Sequence, residues 1–354
     1  MQKLDIKSMS LQEIEALIRE INQPKYRAKQ IFKWLQQGCA SFSDMTDISK
    51  ELRIILEDKC YIANVTIEKK FVSAIDGTVK YLYKLNDGEY VESVLMKYNH
   101  WYTVCASTQV GCRMGCKFCA SGINGMVRNL TASEILSQIT AAQIDNNIRV
   151  SHVVLMGMGE PLDNFQNTIK FLELVSHENG LNISPRHISV STSGIVPNIY
   201  KLAECGYPVT LSISLHAVTD EERSNIMPVN KRWGIEELIK SCKDYIKVTG
   251  RRISFEYALI NGVNDSLEHA IRLSKLLKGM ICHVNLIPAN PVVENTFTRP
   301  NMKKVNNFKE KLEMLGINAT IRRTLGADIN ASCGQLRREH NLSKTGGAAL
   351  ENCK

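Results

Sequence analysis

Several marks of other protein classes are missing from this sequence of 354 residues. No segment approaches the run of about 20 apolar residues that a membrane-spanning helix needs. The first residues, from Met1 to Lys7, carry charges where a secretory signal peptide needs an apolar stretch. There is no repeat at a solenoid period and no low-complexity tract. We therefore expect a cytoplasmic, globular protein with no membrane partner, and the 44% hydrophobic content argues against disorder.

Cysteine is the residue whose distribution stands out. The chain has 11 cysteines, an odd and unevenly spaced set that does not resemble a disulfide framework. In the cytoplasm these thiols stay reduced. Four of them crowd between Cys105 and Cys119, which makes metal or thiol chemistry the leading question. The formal net charge of +8 admits an anionic partner such as nucleic acid but does not establish one.

The first sixty residues have the pattern of a small helical domain. Ser10-Leu11-Gln12-Glu13 is a capping box, and apolar residues follow it at helical spacing. Pro24 ends this helix, and further helices are predicted at about 26–37 and 48–59. Five cations between residues 19 and 33 are opposed only by Glu20: Arg19, Lys25, Arg27, Lys29 and Lys33. This face is either simply solvated or contacts phosphates.

Strand patterns replace the helical ones after residue 60. Runs at 64–67, 78–83 and 90–95 are separated by the turn signals Asp76-Gly77 and Asp87-Gly88. After Cys119, strand-like runs alternate with helical stretches, and they lie at 153–156, 187–190, 209–214, 253–257, 283–287 and 318–321. Repeated βα units predict an α/β fold with a parallel sheet in a full or partial barrel, and an open doubly wound sheet is the alternative.

The most specific motif is Cys112-Arg113-Met114-Gly115-Cys116-Lys117-Phe118-Cys119. Three thiolates on one short loop can bind three irons of a cubane [4Fe–4S] cluster and leave the fourth iron for a small molecule. A redox dithiol would leave Cys112 unexplained. A structural zinc site wants a fourth ligand, and no second cysteine pair is found. Three buried, inert cysteines are the remaining alternative.

This C-x3-C-x2-C loop, with the aromatic Phe118 before its last cysteine, resembles that of the radical S-adenosylmethionine (radical SAM) enzymes. The resemblance implies a partial (β/α)6-type barrel with a [4Fe–4S] cluster at its mouth, held by Cys112, Cys116 and Cys119. It also implies that SAM chelates the open iron and is cleaved to methionine and a 5′-deoxyadenosyl radical. We expect four regions: a helical domain (1–60), a β-rich linking extension (61–97), the barrel core (98–340) and a tail (341–354).

Short polar segments follow several of the predicted strands. Gly157-Met158-Gly159-Glu160-Pro161 comes one βα unit after the cysteine loop, where glycines let the backbone approach a ligand. Each segment is also compatible with a plain strand-end turn, although barrel sites lie at this end of the strands. The family resemblance assigns SAM contacts to seven residues: Gly159, Glu160, Ser191, Ser214, Leu215 through its backbone, His216 and Asn290.

Three further residues, Cys333, Cys105 and Glu92, are interpreted together. Cys333 lies in a polar, small-residue stretch and is either a reactive thiol or an ordinary surface cysteine. Cys105 reads most simply as a buried strand cysteine, and Glu92 as a carboxylate in a β-branched run that could face solvent. In order and spacing, however, these residues and the motifs above resemble the RlmN-type adenine-C2 methyltransferases over nearly the whole chain.

The chemistry of that family assigns each residue a role. Carbon 2 of adenine is not nucleophilic, so Cys333 takes the methyl group from a first SAM and becomes S-methylcysteine. A radical generated from a second SAM removes a hydrogen from this methyl group, and the carbon radical adds to carbon 2. Glu92 is the proton acceptor. Cys105 then attacks the Cys333 sulfur, which releases the methylated RNA and leaves a disulfide.

The resemblance also implies partners. They are 23S rRNA at an adenosine of the peptidyl-transferase region, tRNA at the adenosine 3′ of the anticodon, and an electron donor such as flavodoxin or ferredoxin; we expect a monomer. Four arginines flank Cys333 and suit phosphate contacts or are ordinary surface charges: Arg322, Arg323, Arg337 and Arg338.

Two alternative functions remain. One is a Cfr-type enzyme, which methylates carbon 8, and the other is a non-catalytic RNA-binding or iron-storage module with a structural cluster. Six cysteines have no assigned chemistry: Cys39, Cys60, Cys205, Cys242, Cys282 and Cys353.

Overall fold

The computed structural model describes residues 3–289, 297–329 and 331. Two of the predicted site residues, Asn290 and Cys333, lie outside these described residues, as do Arg337, Arg338 and Cys353. In the described part of the chain, no helix is both long and apolar enough to cross a membrane.

A small helical domain forms the N-terminal part, as predicted. Two short strands, β1 (Leu4–Asp5) and β2 (Cys60–Tyr61), pair in parallel and enclose three helices: α1 (Leu11–Glu20), α2 (Tyr26–Gln36) and α3 (Lys50–Lys59). The predicted capping box at Ser10 is present, because Ser10 Oγ accepts from the Glu13 amide and the Glu13 carboxylate accepts from the Ser10 amide at 2.6 Å. The predicted apolar positions of α1 are buried and pack into the core.

A single ten-stranded sheet runs through the rest of the molecule, in the order β14-β13-β12-β11-β10-β9-β6-β5-β4-β3. Its antiparallel part is β3 (Thr66–Val72), β4 (Val79–Lys84), β5 (Tyr90–Lys97) and β6 (Tyr102–Cys105). A separate hairpin is formed by β7 (Gln109–Gly111) and β8 (Met126–Asn129). The parallel part is β9 (His152–Leu155), β10 (Ile188–Thr192), β11 (Thr210–Ser214), β12 (Ile253–Leu259), β13 (Cys282–Pro288) and β14 (Ala319–Ile321).

The sheet is not closed, since its first and last strands, β14 and β3, have no pairing between them in the described residues. The prediction of a partial barrel is therefore confirmed. The predicted linking extension supplies β3 to β5, and these strands continue the barrel sheet through the antiparallel β5–β6 pair. In the part of the chain that the structure describes, seven α-helices precede, separate or follow the parallel strands: α4 (Ala132–Asn146), α5 (Phe165–Ser176), α6 (Val196–Glu204), α7 (Asp220–Ile226), α8 (Ile235–Thr249), α9 (Leu267–Leu277) and α10 (Met302–Met314).

The two faces of the parallel sheet differ in chemistry because side chains alternate along a strand. One face packs into the apolar core with residues such as Val190, Leu211 and Phe255. The other face is polar, and two rows of polar residues run across it in register: Ser191, Ser212, Ser254 and His283, then Ser214, Glu256, Asn285 and Thr320. This polar face, together with the strand ends, is where the predicted site residues gather.

Candidate active site

The cysteine loop begins where β7 ends. Gly111 there has φ +81°, and a Cβ on it would lie 2.0 Å from the carbonyl oxygen of Gly125, so this position requires glycine. The loop is fixed by backbone hydrogen bonds, from the Cys112 amide to the Gly125 oxygen (3.0 Å) and from the Lys117 amide to the Ile226 oxygen (2.9 Å). The second bond joins the loop to the end of α7.

The three thiols of the loop lie close enough to affect one another. Burial, with smaller contributions from nearby Glu160 and Cys119, raises the pKa of the Cys112 thiol to about 12. Burial, followed by Cys119 and Cys112, also raises the pKa of Cys116. A site of this kind holds thiolates only with a strong positive charge among them, which is what iron supplies.

The donor set of the loop, three thiols on one short segment, suits the chemistry of an iron–sulfur cluster. Among the described residues, no group of three or more His, Cys, Asp or Glu side chains is arranged to hold one metal ion. In a cubane cluster each thiolate binds a different iron, so the sulfurs stand further apart than around one ion. The donor set of the loop therefore fits a [4Fe–4S] cluster with one open iron.

Glu160 connects the glycine-rich string to the neighbouring strand. Its buried carboxylate accepts hydrogen bonds from the amides of Ser193 (2.7 Å) and Leu162 (3.0 Å), and burial raises its pKa. The preceding Gly159 has φ +105°, and a Cβ there would lie 2.6 Å from the side chain of Gln109. The string is thus held tightly against β7 and against the end of β10.

His216 is fixed as a neutral ring at the end of β11. Its Nδ1 accepts from the Ala258 amide at 2.9 Å, which places the ring proton on Nε2. Burial, and then the positive charge of Arg223, lower the pKa of His216 to about 3. Its ring meets that of Phe118 edge-on at 4.8 Å, so it lies beside the cysteine loop and can donate one hydrogen bond. The backbone is left-handed here, with φ +58°.

Arg223 in α7 joins these segments and was not singled out from the sequence. It is fully buried, and its guanidinium donates to the carbonyl oxygens of Ser193 (2.6 Å), Ser214 (3.0 Å) and Leu215 (3.1 Å). It also donates to the side-chain amide oxygen of Asn230 at 2.9 Å. All four acceptors are neutral, and no carboxylate in the described residues lies within 4.0 Å of it. The nearby Cys116 is one of the groups that affect its pKa, which burial lowers to about 10.

The predicted SAM contacts therefore divide by location. Five of them lie together at one edge of the sheet: Gly159, Glu160, Ser214, Leu215 and His216. Arg223 links the ends of β10 and β11 there, and the Leu215 amide donates to the backbone oxygen of Glu256 at 3.1 Å. On the polar face, Ser191 lies opposite Ser212, which is two residues further from the strand ends than Ser214.

Glu92 lies on the antiparallel strands beside Cys105. The sequence left open whether Glu92 faces solvent, and the structure buries it at 2% exposure. It forms an ion pair with Lys80, which is equally buried, at 3.1 Å. Lys80 is a second residue that sequence reasoning missed, although a single lysine within the apolar run of β4 was a usable signal.

Cys105 packs in a small apolar cluster with Val94 and Met96. Val94 is its cross-strand partner, and Glu92 precedes Val94 by two positions, so Glu92 and Cys105 share one face of the sheet. Ala331 packs against the same cluster, and Cys333 follows Ala331 by two positions in the sequence. No two cysteines of the described residues are joined by a disulfide.

The segment before Ala331 is tied to the turn between β3 and β4. Ser73 Oγ and the Ala74 amide donate to the Asp328 carboxylate at 2.6 and 2.9 Å, and the Gly326 amide donates to Asp76 at 2.9 Å. Although burial opposes the change, the hydrogen bond from Gly326 and those from Thr78 lower the pKa of Asp76 to about 2. We call these contacts the C-terminal latch.

Comparison with known proteins agrees with this geometry. The radical SAM superfamily profile matches residues 106–274, and the ribosomal RNA large subunit methyltransferase N-terminal domain matches residues 4–62. The chain is 53% identical to a "Probable dual-specificity RNA methyltransferase RlmN" of Alkaliphilus oremlandii, over 96% of this chain and 99% of that protein. A protein of the same name from Clostridium botulinum (strain Eklund 17B) is 52% identical over 95% and 97%. The crystal structure of a radical SAM methyltransferase from Sphaerobacter thermophilus is similar at TM-score 0.89 and 43% identity, covering 94% of this chain and 98% of that one.

Proposed function

The chain belongs to the RlmN family of radical SAM RNA methyltransferases, and we propose that it methylates carbon 2 of an adenosine in 23S rRNA. The substrate adenosine lies in the peptidyl-transferase region, and the tRNA adenosine 3′ of the anticodon is the second substrate. The reaction takes place in the cytoplasm, on a monomer, with flavodoxin or ferredoxin as the electron donor.

The cofactors of the family are a [4Fe–4S] cluster and SAM. Cys112, Cys116 and Cys119 hold the cluster in our proposal, and SAM is held by Gly159, Glu160, Ser191, Ser214, Leu215, His216 and Asn290. When bound, this pair supplies a 5′-deoxyadenosyl radical that removes a hydrogen atom from a methyl group. His216 contributes a neutral Nε2–H donor, while Glu160 and Arg223 hold the strand ends in place.

Cys333 carries the methyl group and Cys105 resolves the RNA adduct. The radical adduct first loses the carbon 2 proton and returns one electron along the path by which the reductant supplied it. The Cys105 thiolate then attacks the Cys333 sulfur, the bond between that sulfur and the methylene carbon breaks with its electron pair left on carbon, a proton completes the methyl group, and a disulfide forms. A reductant returns both residues to thiols with two electrons. The observation that carries this proposal is the packing of Ala331, two residues before Cys333, on the apolar cluster that contains Cys105.

Glu92 accepts the proton that carbon 2 loses. The carboxylate shares a sheet face with Cys105 and has its counter-charge, the Lys80 ammonium, 3.1 Å away. A buried carboxylate is costly without such a partner. Since both groups are buried, water does not compete for the proton at this position.

The decisive experiment is an anaerobic reaction of reconstituted enzyme with SAM, a reductant and an rRNA fragment, followed by mass spectrometry of the nucleosides. We expect 2-methyladenosine. A product methylated at carbon 8 would assign the chain to the Cfr-type reaction instead. Absence of 5′-deoxyadenosine would point to a structural cluster in a non-catalytic protein.

The resolving role of Cys105 has its own test. Cys105→Ala accumulates a covalent enzyme–RNA adduct through Cys333, visible as a shifted band on denaturing gels. Cys242→Ala is the matched control, because Cys242 is also buried but lies in α8, within the helical layer. Free methylated RNA at the normal rate from Cys105→Ala would remove Cys105 from the mechanism.

A further inference from the structure

An open cleft lies on the N-terminal domain, on helix α2 and away from the strand ends. Its volume is about 470 Å³, which is within the usual range for small-ligand sites. Its walls include two aromatic rings, two lysines, an amide and a carboxylate: Tyr26, Trp34, Lys29, Lys33, Gln37 and Asp47. We call it the α2 cleft.

The aromatic wall of the α2 cleft is held in a fixed orientation. Trp34 Nε1 donates to the Asp47 carboxylate at 2.6 Å, and Gln30 Nε2 donates to the other carboxylate oxygen at 3.1 Å. Arg27 donates to the backbone oxygen of Asp47 at 2.9 Å. The carboxylate is thus occupied by the protein itself, and the indole is pre-organised for a partner.

The charge of the cleft is positive and unbalanced. Lys29 and Lys33 are exposed and stand four residues apart on α2, where like charges repel. Neither forms an ion pair within the described residues, whereas Lys25, at the start of the same helix, pairs with Glu15 at 3.1 Å. Glu15 therefore neutralises Lys25, whereas no carboxylate of the described residues pairs with Lys29 or Lys33.

We infer that the α2 cleft binds an unpaired nucleotide of the RNA substrate, at a distance from the adenosine that is methylated. Lys29 and Lys33 contact its phosphates, and the base stacks on the rings of Trp34 and Tyr26. A base-paired helix offers phosphates but no free base face, so the paired aromatic and cationic walls favour an unpaired nucleotide. This inference rests on the proposed function, since it takes RNA to be the substrate.

The test measures RNA affinity of the reconstituted holoenzyme by fluorescence anisotropy with two labelled RNAs of equal length. One is a hairpin with a single bulged nucleotide and the other is fully paired. Lys29→Glu/Lys33→Glu weakens binding of the bulged RNA at least tenfold. Lys240→Glu/Lys243→Glu, which reverses two exposed lysines on α8, is the matched control and changes affinity much less.

Aromatic variants separate a nucleotide site from a merely basic face. Tyr26 is 58% exposed, so Tyr26→Ala removes a ring without disturbing the core. Tyr26→Ala and Trp34→Ala each weaken binding of the bulged RNA severalfold, while the affinity for the paired RNA stays unchanged. Trp34→Phe, which keeps an aromatic ring, binds the bulged RNA more tightly than Trp34→Ala and close to the wild-type affinity. Charge effects without any aromatic effect would overturn the nucleotide site, and so would equal losses for both RNAs.

Failure of this inference can be told apart from failure of the proposed function. RNA-independent SAM cleavage remains normal in all cleft variants, and 2-methyladenosine still forms at saturating RNA. If wild-type enzyme makes no 2-methyladenosine, the proposed function fails. If it does and the cleft variants bind bulged RNA like wild type, only the α2 cleft assignment fails.

Discussion

Two regions of the sheet each bury a cation, and they balance it differently. On the antiparallel strands, Lys80 pairs with Glu92 at 3.1 Å, beside Cys105; we call this the thiol side. At the strand ends, Arg223 is fully buried with four neutral acceptors; no carboxylate of the described residues lies within 4.0 Å of it, and the charge of Asp220 acts on it only from further away. We call this the cluster side.

The difference in how the two buried cations are compensated indicates which charges each region can accommodate. An isolated buried charge is expensive, so a fold retains one only where a partner compensates it. The thiol side carries its compensation within the chain, which suits the proton acceptor that we propose there. On the cluster side no carboxylate of the described residues is in direct contact with the cation, so an anion bound there adds compensation, and a cubane held by three thiolates has a net negative charge.

The largest predicted effect breaks the balance of the thiol side. Lys80→Met removes the ammonium that lies 3.1 Å from the buried Glu92 carboxylate and lowers the free energy of unfolding by about 3–5 kcal/mol. Chemical denaturation measures this, and Lys80→Met/Glu92→Leu should recover most of the loss. The control is Lys70→Met, because the Lys70–Asp145 pair is partly exposed and contributes at most about 1 kcal/mol. Equal losses for Lys80 and Lys70 would refute the comparison.

The next prediction concerns the pH dependence of stability. On the cluster side, burial and then the charge of Arg223 disfavour the protonated form of His216. His216 has a folded-state pKa of about 3, below its unfolded value of about 6.5. The unfolded chain therefore takes up a proton first, and stability falls as pH drops from about 6.5 toward 3, by roughly 1.4 kcal/mol per pH unit.

His216→Asn isolates this contribution. Asn tolerates the left-handed backbone at this position, so the substitution removes the titrating ring without adding backbone strain. Stability measured between pH 7 and pH 5 should fall less steeply in the variant than in wild type. An identical pH dependence would show that His216 is not held neutral.

A smaller effect separates the loaded and unloaded states of the cluster side. Cluster loading stabilises wild type, and Arg223→Gln should reduce that gain by on the order of 1–2 kcal/mol, the value expected for nearby charges at an effective dielectric of about 20. Thermal unfolding of enzyme with and without cluster measures the gain. Asn230→Ala is the control, since it removes a neutral partner of the guanidinium but keeps the charge. If cluster loading stabilises Arg223→Gln as much as it stabilises wild type, Arg223 does not compensate the charge of the cluster.

The smallest effect touches the C-terminal latch beside the thiol side. Asp328→Asn loses one acceptor for Ser73 or Ala74 and loosens the segment that precedes Cys333. Methylation should slow severalfold while RNA-independent SAM cleavage stays unchanged, as measured in parallel assays. A matched fall in both rates would show that the latch acts on the cluster side instead.

Local patterns predicted much of the fold. The predicted capping box at Ser10 is present, and β11 (Thr210–Ser214) matches the strand predicted at 209–214. The predicted strand at 64–67 runs instead from Thr66 to Val72, because its exposed edge position tolerates the charged run from Glu68 to Lys70. The β7–β8 hairpin was missed, since its strands have only three and four residues.

The parts of the site that escaped prediction depend on contacts between distant positions. Arg223 follows three acidic residues and looks like part of a surface helix, but its acceptor Ser193 is thirty residues away. The family motifs located the cysteine loop and the strand-end residues because these are contiguous in sequence. The continuity of β3 to β5 with the barrel sheet depends on strand pairing, which no local pattern records.

The most direct test of the account follows the three hydrogens of the transferred methyl group. Holoenzyme is given the rRNA fragment and SAM whose methyl group carries three deuterium atoms, and the products are analysed by mass spectrometry. In our proposal Cys333 carries the methyl group, and this group loses one hydrogen before the new carbon bond forms. The account therefore predicts 2-methyladenosine with two deuterium atoms and one deuterium in 5′-deoxyadenosine. Retention of all three deuterium atoms in the methylated adenosine would contradict it.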